Sequence, residues 1–285
     1  MVFIPVHGTQ LAYDEAGSGP AVIFVHAGIA DRRMWEQQFT ALAAGHRVVR
    51  YDWRGHGESA DATGAAAHHD DLIGLMDALD INRAALVGCS YGGAYAVDAA
   101  LSAPHRVTSL TLICSGLSGH VWPPEMQKLA EEHVYGAVPA ERLRQYADGT
   151  AEHVDPDDVE AMARAQASLM VAGPDRSPDA LSPEVWELAV DMCRVVFRRM
   201  WSRGSALVPQ WTEPPAVGRL GDVAAATLVV NGLADIPPVQ EVSGLLASGI
   251  PGARRVDLPD TGHLPPVERP AETTRLIADH LAQQG

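Results

Sequence analysis

The sequence predicts an α/β fold: a mostly parallel, eight-stranded sheet with helices on both faces and a helical cap insertion in mid-chain. Three observations predict it. In the first 115 residues, short apolar runs alternate with stretches whose apolar residues recur at helical spacing, the pattern of strands joined by crossover helices. Strand-like runs then vanish between Gly116 and Gly218, where helical stretches are separated by proline breaks. The strand–helix alternation resumes at Arg219. Residues 1–115 and 219–285 are thus expected to be two parts of one α/β core, and 116–218 a cap inserted between them.

Each element has its own signal. Residues 2–6 and 10–14 are short strands around a His7-Gly8-Thr9 turn. Ala21–Val25 is apolar throughout, as a strand covered on both faces must be. Residues 34–44 place Trp35, Phe39 and Leu42 on one helical face, and 47–51 is the next strand. A helix over 66–79 carries Leu72, Leu75, Met76 and Leu79 at helical spacing. Residues 84–87 form a strand, 91–103 a helix of small residues, and 107–113 another strand. In the insertion, prolines open helices over 124–135, 139–153, 156–171 and 183–203, because the fixed φ and missing N–H of proline suit a first turn. A strand at 226–231, a helix at 238–247, a strand at 254–258 and a closing helix at 271–284 complete the chain.

A chain of 285 residues with 47% hydrophobic content can bury a sizeable core. Its formal charge of −15 argues against nucleic-acid and anionic-membrane partners and leaves a small-molecule substrate. Cys89, Cys114 and Cys193 are odd in number and widely spaced, which fits small buried hydrophobes in a reducing compartment. No basic-then-apolar leader opens the sequence and no apolar run is long enough to span a bilayer, so a cytoplasmic location is expected. Nothing in the sequence bears on oligomeric state.

The most specific local signal is Gly88-Cys89-Ser90-Tyr91-Gly92-Gly93, between the strand at 84–87 and the helix at 91–103. A strand that turns sharply into a helix crowds its turn residue. Glycines two positions to either side relieve that crowding and leave the serine hydroxyl exposed above the sheet edge. The N–H of Tyr91 then opens a helix N-terminus, where it can stabilise an oxyanion. A dinucleotide cradle would need Gly-x-Gly-x-x-Gly and an acidic residue about 20 positions on, whereas the glycine spacing differs here and position 108 is Thr108. Serine at neutral pH needs an imidazole to take its proton and a carboxylate to fix the imidazole tautomer. Ligands of parallel sheets bind beyond the carboxyl ends of the strands. Asp235 and His263 both follow strands, so Ser90, Asp235 and His263 fall on loops at one sheet edge, in the order this topology uses.

Taken with His26-Ala27-Gly28, Asp52-Trp53-Arg54-Gly55-His56-Gly57-Glu58-Ser59, Asn231-Gly232-Leu233-Ala234-Asp235 and Gly262-His263, the chain resembles the α/β-hydrolase fold superfamily over nearly its whole length, in its serine esterase and lactonase branch. The resemblance implies Ser90 as nucleophile, His263 as general base and Asp235 as its orienting partner. It also implies an oxyanion hole from the amides of Tyr91 and Gly28. The family often has His-Gly where this chain has His26-Ala27, which leaves open whether Gly28 or its neighbour donates.

Other residues compete for these roles. Asp260 lies three residues before His263 and reads as a turn former. His26 and His56 sit in loops whose family role is mostly structural. His68-His69-Asp70-Asp71 has metal-ligand residue types, but it opens a helix. Acidic residues there complement the dipole and adjacent side chains point apart, so no metal or other cofactor is expected. Arg194, Arg198, Arg199 and Arg203 read as a solvated face, with a substrate-carboxylate anchor as the alternative.

The chemistry expected is hydrolysis of a carboxylic ester or lactone of a small, largely apolar substrate through an acyl-enzyme. An aspartate at position 90 would have indicated epoxide hydrolases or dehalogenases. Carbon–carbon bond hydrolysis of ring-fission products is an alternative, but those enzymes often carry Gly-Asn-Ser and His-Trp where this chain has Cys89-Ser90 and His263-Leu264. A non-catalytic binding protein on the same fold is a third reading. The insertion is expected to cover Ser90. Trp122, Met192, Phe197 and Trp201, with Leu264 beside the base, are expected to contact an apolar substrate.

Overall fold

The computed structural model describes residues 2–61, 66–203 and 209–284. The predicted cap, 116–218, therefore includes residues 204–208, which lie outside the described residues. The strands are β1 (Val2–Val6), β2 (Thr9–Ala16), β3 (Ala21–Val25), β4 (Arg47–Tyr51), β5 (Ala84–Cys89), β6 (Val107–Ile113), β7 (Ala226–Gly232) and β8 (Arg254–Leu258). The helices are α1 (Glu36–Leu42), α2 (His68–Ala78), α3 (Tyr91–Ser102), α4 (Pro124–His133), α5 (Ala140–Ala147), α6 (Pro156–Ala167), α7 (Pro183–Arg203), α8 (Pro237–Gly249), α9 (Pro265–Glu268) and α10 (Pro270–Ala282).

The eight strands form one sheet in the order β1-β2-β4-β3-β5-β6-β7-β8. β2 pairs antiparallel with both β1 and β4, and every later pairing is parallel. The β1–β2 hairpin turns at His7 and Gly8, both at positive φ (46° and 77°), as a tight two-residue hairpin requires. The unbroken apolar run of β3 follows from its position. Val22 and Phe24 pack on one face with Met34, Trp35 and Leu42, while Ile23 and Val25 pack on the other with Leu72, Leu75 and Met76. The parallel register aligns the carboxyl ends: Val25 pairs with Tyr51 and Gly88, Cys89 with Ile113, Ile113 with Val230, and Gly232 with Leu258. The loops after β3, β5, β7 and β8 therefore open on a common edge.

Three helix predictions need their bounds corrected. The first is shorter than 34–44, because a 3-10 turn (Arg32–Trp35), capped by the Asp31 carboxylate on the Arg33 amide at 3.0 Å, precedes α1. The helix expected over 139–153 stops at Ala147, where Gly149 takes a left-handed φ of 65°. The one expected over 156–171 ends as α6 and continues as a π turn, Ser168–Ala172, closed by Gly173 at φ 98°. The closing helix expected over 271–284 is α10, Pro270–Ala282, and the short α9 before it ends at Glu268, ahead of Pro270. Between β6 and β7 the described residues hold helices α4 to α7 and no named strand. The α6–α7 pair packs through Val159, Met162 and Ala163 with Ala189, Val190 and Cys193. No helix among the described residues is long and apolar enough to cross a membrane.

Candidate active site

Ser90 sits where β5 turns into α3, at φ 57° and ψ −126°, outside the regions a side-chain-bearing residue prefers. The flanking glycines make that turn possible. A Cβ on Gly88 would lie 2.4 Å from the Gly92 carbonyl oxygen, and one on Gly92 would lie 2.3 Å from that of Val25. Ser90 occupies the N-cap position of α3 but makes no capping bond with its side chain. Its Oγ instead lies 2.8 Å from His263 Nε2. On the other side of the ring, His263 Nδ1 lies 2.6 Å from Asp235 Oδ2, while Asp235 Oδ1 accepts the Ile236 amide at 2.8 Å. Asp235 and His263 are both 2% exposed. The three residues thus form one hydrogen-bonded chain from hydroxyl to carboxylate.

Asp260 does not reach His263. It is exposed, sits at φ 49°, and offers its carbonyl to Arg176 and Arg269, the arrangement of a turn former. Among the described residues, neither the Tyr91 nor the Gly28 amide is taken up by a hydrogen bond. Gly28 also packs under the Tyr91 ring, whose Cδ2 would lie 2.8 Å from a Cβ there.

His263 is held from several directions. The His263 amide donates to the Met170 carbonyl at 3.0 Å. The Cys89 thiol donates to the His263 carbonyl at 3.5 Å, and the Cys114 thiol to the Gly262 carbonyl at 3.7 Å. The Gly262 amide donates to Glu268 Oε2 at 2.7 Å, and Glu268 is paired with Arg176 at 2.8 Å. Arg176 also donates to the carbonyls of Val171 and Ala172 in the π turn. A Cβ on Gly262 would lie 2.1 Å from the Val171 carbonyl, so the π turn presses directly on the His263 loop. These supports, and the role of the two thiols, carry no sequence motif.

Cys114, Asp235 and His263 offer ligand atoms within 4.8 Å of one another, the spacing of a metal cluster. Their chemistry fits a resident metal poorly. The carboxylate and imidazole are already bonded to each other, and burial with the Asp235 charge pushes the Cys114 thiol well above its ordinary range. Asp71 of the His68-His69-Asp70-Asp71 run is engaged by Arg54 through both its oxygens and by His7 at 3.3 Å. His26 and His56 pack with Trp53 as interior aromatic rings, with His26 stacked at 4.3 Å. Of the α7 arginines, Arg198 is exposed as a solvated face requires, whereas the other three are engaged within the protein. Arg194 binds Glu160 (2.7 Å) and Asp191 (2.8 Å), while Arg199 and Arg203 tie α7 to the 55–61 loop. Arg198 lines a separate cavity with Asp31 and Glu58.

Above Ser90 and His263 lies a cavity of about 350 Å³. Of the residues expected to contact substrate, Trp122 and Phe197 line it. Met192, Trp201 and Leu264 do not. Met192 and Leu264 are fully buried in the core, and Trp201 stacks on Tyr146 at 4.6 Å inside the helical layer. Helix geometry explains the placement of Met192. Met192 and Phe197 are five positions apart, which turns about 140° around α7, so both cannot face one cavity. Val196 and Met200, one turn apart and flanking Phe197, take that face instead. Gln166 and Met170 line the cavity from the α6 end, with Ile29, Met126 and Val239. The four-residue spacing of Gln166 and Met170, and of Val196 and Met200, is the signal that could have found them.

A family model described as the alpha/beta hydrolase fold matches residues 20–270. The 2-hydroxy-6-oxo-6-phenylhexa-2,4-dienoate hydrolase of Comamonas testosteroni is 29% identical over 283 residues, covering 95% of this chain and 91% of that protein. An epoxide hydrolase of Caballeronia sordidicola is 43% identical over 109 residues, which is 36% of this chain and only 33% of its own length. Among solved structures, an esterase from Thermogutta terrifontis superposes with a TM-score of 0.76 at 27% identity, covering 99% of this chain and 98% of that one. The enol-lactonase from Burkholderia xenovorans LB400 superposes with a TM-score of 0.74 at 27% identity, over 99% and 100% of the two chains.

Proposed function

The chain belongs to the α/β-hydrolase fold family, and on that premise we propose that it is a serine hydrolase that cleaves a carboxylic ester or lactone of a small, largely apolar substrate. The observation that carries the reading is the bonded chain Ser90–His263–Asp235, at 2.8 and 2.6 Å, beneath an apolar cavity. In this reading His263 Nε2 takes the Ser90 proton as Oγ attacks the acyl carbon. Asp235 holds Nδ1–H and stabilises the imidazolium that forms. The Tyr91 and Gly28 amides receive the oxyanion, helped by the N-terminus of α3. The alcohol leaves with the proton from His263, and water then releases the acid by the same steps in reverse order. Helices α4 to α7 act as a cap that excludes bulk water. Buried thiols at Cys89, Cys114 and Cys193 suit a reducing compartment, and the reading includes a cytoplasmic location.

The test is covalent labelling by a fluorophosphonate, read by peptide mass, alongside turnover of short p-nitrophenyl esters. Labelling at Ser90, with turnover reduced on the order of 10³-fold or more in Ser90→Ala, is expected. An unlabelled serine and no esterase activity would leave a binding protein. The near full-length match to the Comamonas hydrolase favours a second reading, carbon–carbon cleavage. Preferential turnover of a vinylogous diketone over all esters would select it.

A further inference from the structure

The lining of the cavity above Ser90 is chemically selective. Outside the serine–histidine pair it is built mainly from aliphatic, thioether and aromatic side chains, and among the described residues it contains no charged group. Arg198 lies outside this cavity, lining a separate one with Asp31 and Glu58, and other arginines of the 32–35 turn and α7 are held by carboxylates or carbonyls. Arg32 is bonded to Asp14 and Asp52, Arg33 to Asp31 and Asp191, and Arg194 to Glu160 and Asp191. Arg199 and Arg203 are tied to the 55–61 loop. A substrate carboxylate would therefore lose its water shell with no counter-charge to meet it.

Besides the Tyr91 hydroxyl and the Cys114 thiol, one neutral polar side chain breaks the apolar wall. Gln166, one helical turn before Met170, brings a carboxamide to the cavity, and that amide has no hydrogen-bond partner among the described residues. It offers two donors and an acceptor. When a ligand covers it, the amide is left unpaired unless the ligand supplies the partner, and an unpaired polar group in such a place is costly.

We propose that the substrate is an uncharged ester or lactone bearing a second, neutral hydrogen-bonding group, a carbonyl, amide or hydroxyl, which Gln166 reads, and that acyl groups ending in a carboxylate are rejected. The proposal rests on the serine-hydrolase reading. It concerns which acyl groups enter the cavity, not the chemistry at Ser90.

Three p-nitrophenyl esters of equal chain length test it: the hexanoate, the 5-oxohexanoate and the adipate half-ester. Wild type should favour the 5-oxohexanoate over the hexanoate about 3- to 10-fold in kcat/KM, the worth of one neutral hydrogen bond, and should turn over the half-ester at least about 10-fold more slowly than the hexanoate. Gln166→Leu, of similar volume, should abolish the first ratio and keep the second. The proposal fails if the oxo preference is absent or survives in Gln166→Leu, or if the half-ester matches the hexanoate. A binding arm separates this from failure of the underlying reading. In Ser90→Ala, quenching of the Trp122 emission should report tighter binding of 2,7-octanedione than of 2-octanone, and Gln166→Leu in that background should remove the difference. If no ester is hydrolysed in a Ser90-dependent way, the reaction assignment falls. The diketone ratio then decides the role of Gln166 alone: a ratio lost in Gln166→Leu upholds it, and equal binding overturns it.

Discussion

Ser90 is held at φ 57° by its neighbours rather than by its own preference, and the nearby glycines carry that constraint. A methyl on Gly92 would meet the carbonyls of Val25 and His26, both backbone atoms that cannot swing aside. The same residue-scale argument separates the two carboxylates near the base. Asp235 is buried against the imidazole, and Asp260 is an exposed turn residue that meets Arg176 and Arg269 only through its carbonyl. Asp235→Asn is therefore expected to lower kcat for a short ester on the order of 10³- to 10⁴-fold, because the amide favours the wrong imidazole tautomer. Asp260→Asn should leave kcat within about twofold, since asparagine also tolerates a left-handed φ. Steady-state kinetics of the two variants, with circular dichroism to establish folding, decides the matter. The opposite ranking would move the acid role to Asp260. Ser90, Asp235 and His263 stand out in the sequence because each lies in a loop that follows a strand. Their mutual geometry does not, because it depends on loops that touch only in three dimensions.

At the scale of elements, α7 explains what the sequence could not separate. Its apolar residues cover more than one face, because it packs on α6, reaches Tyr146 in α5 and lines the cavity. Spacing alone marks such a helix as buried but not which face meets a ligand. Trp201→Ala should therefore act as a core truncation, costing about 3–5 kcal/mol and lowering the melting temperature. Phe197→Ala, at the cavity wall, should change the ratio of kcat/KM between acyl chains with a smaller stability loss. A uniform loss of activity in both variants would contradict this division. The π turn after α6 supports the base loop in a way that also escaped the sequence. Arg176 is 16% exposed and Glu268 7%, so removing the arginine leaves a buried carboxylate without its partner. Arg176→Ala should lose about 3–5 kcal/mol of stability and lower kcat more than it changes KM, as His263 loses its position. Arg176→Lys should restore part of both. Full kcat in Arg176→Ala would show that the loop holds itself.

For the whole molecule, the strands were legible because a sheet covered on both faces needs continuous apolar runs, but their lateral order was not. The antiparallel β2 lies between β1 and β4, and β3 lies between β4 and β5, a crossover pattern that sequence order does not specify. Nor did composition reveal that the interior beside the sheet edge holds a cluster of histidine rings. His26 is fully buried, donates from Nδ1 to the Ala27 carbonyl at 2.8 Å and accepts the Trp53 amide at Nε2 at 3.2 Å, a pattern only the neutral ring can make. Burial lowers its pKa to about 4. His68, 3% exposed and packed against Tyr95 at 4.7 Å, is lowered by burial to about 3. In the unfolded chain both would titrate near 6.5. Below that pH the unfolded state binds protons that the folded state refuses, so stability is fully present above pH 6.5 and declines as pH falls towards those lowered values. Asp52 works in the opposite sense, since burial raises it to about 6 against the pull of Arg32, but it is one group against three, His26, His68 and His56 (lowered by burial to about 3), that are displaced further. The melting temperature is thus expected to be flat above about pH 7 and to fall progressively between pH 6.5 and 4.5. His68→Phe keeps the aromatic packing and deletes one titrating group, so it should flatten that slope whatever it does to the melting temperature at neutral pH. Calorimetric scans of both proteins across this range make the comparison. An equal slope in the variant would mean that His68 does not contribute to the acid sensitivity.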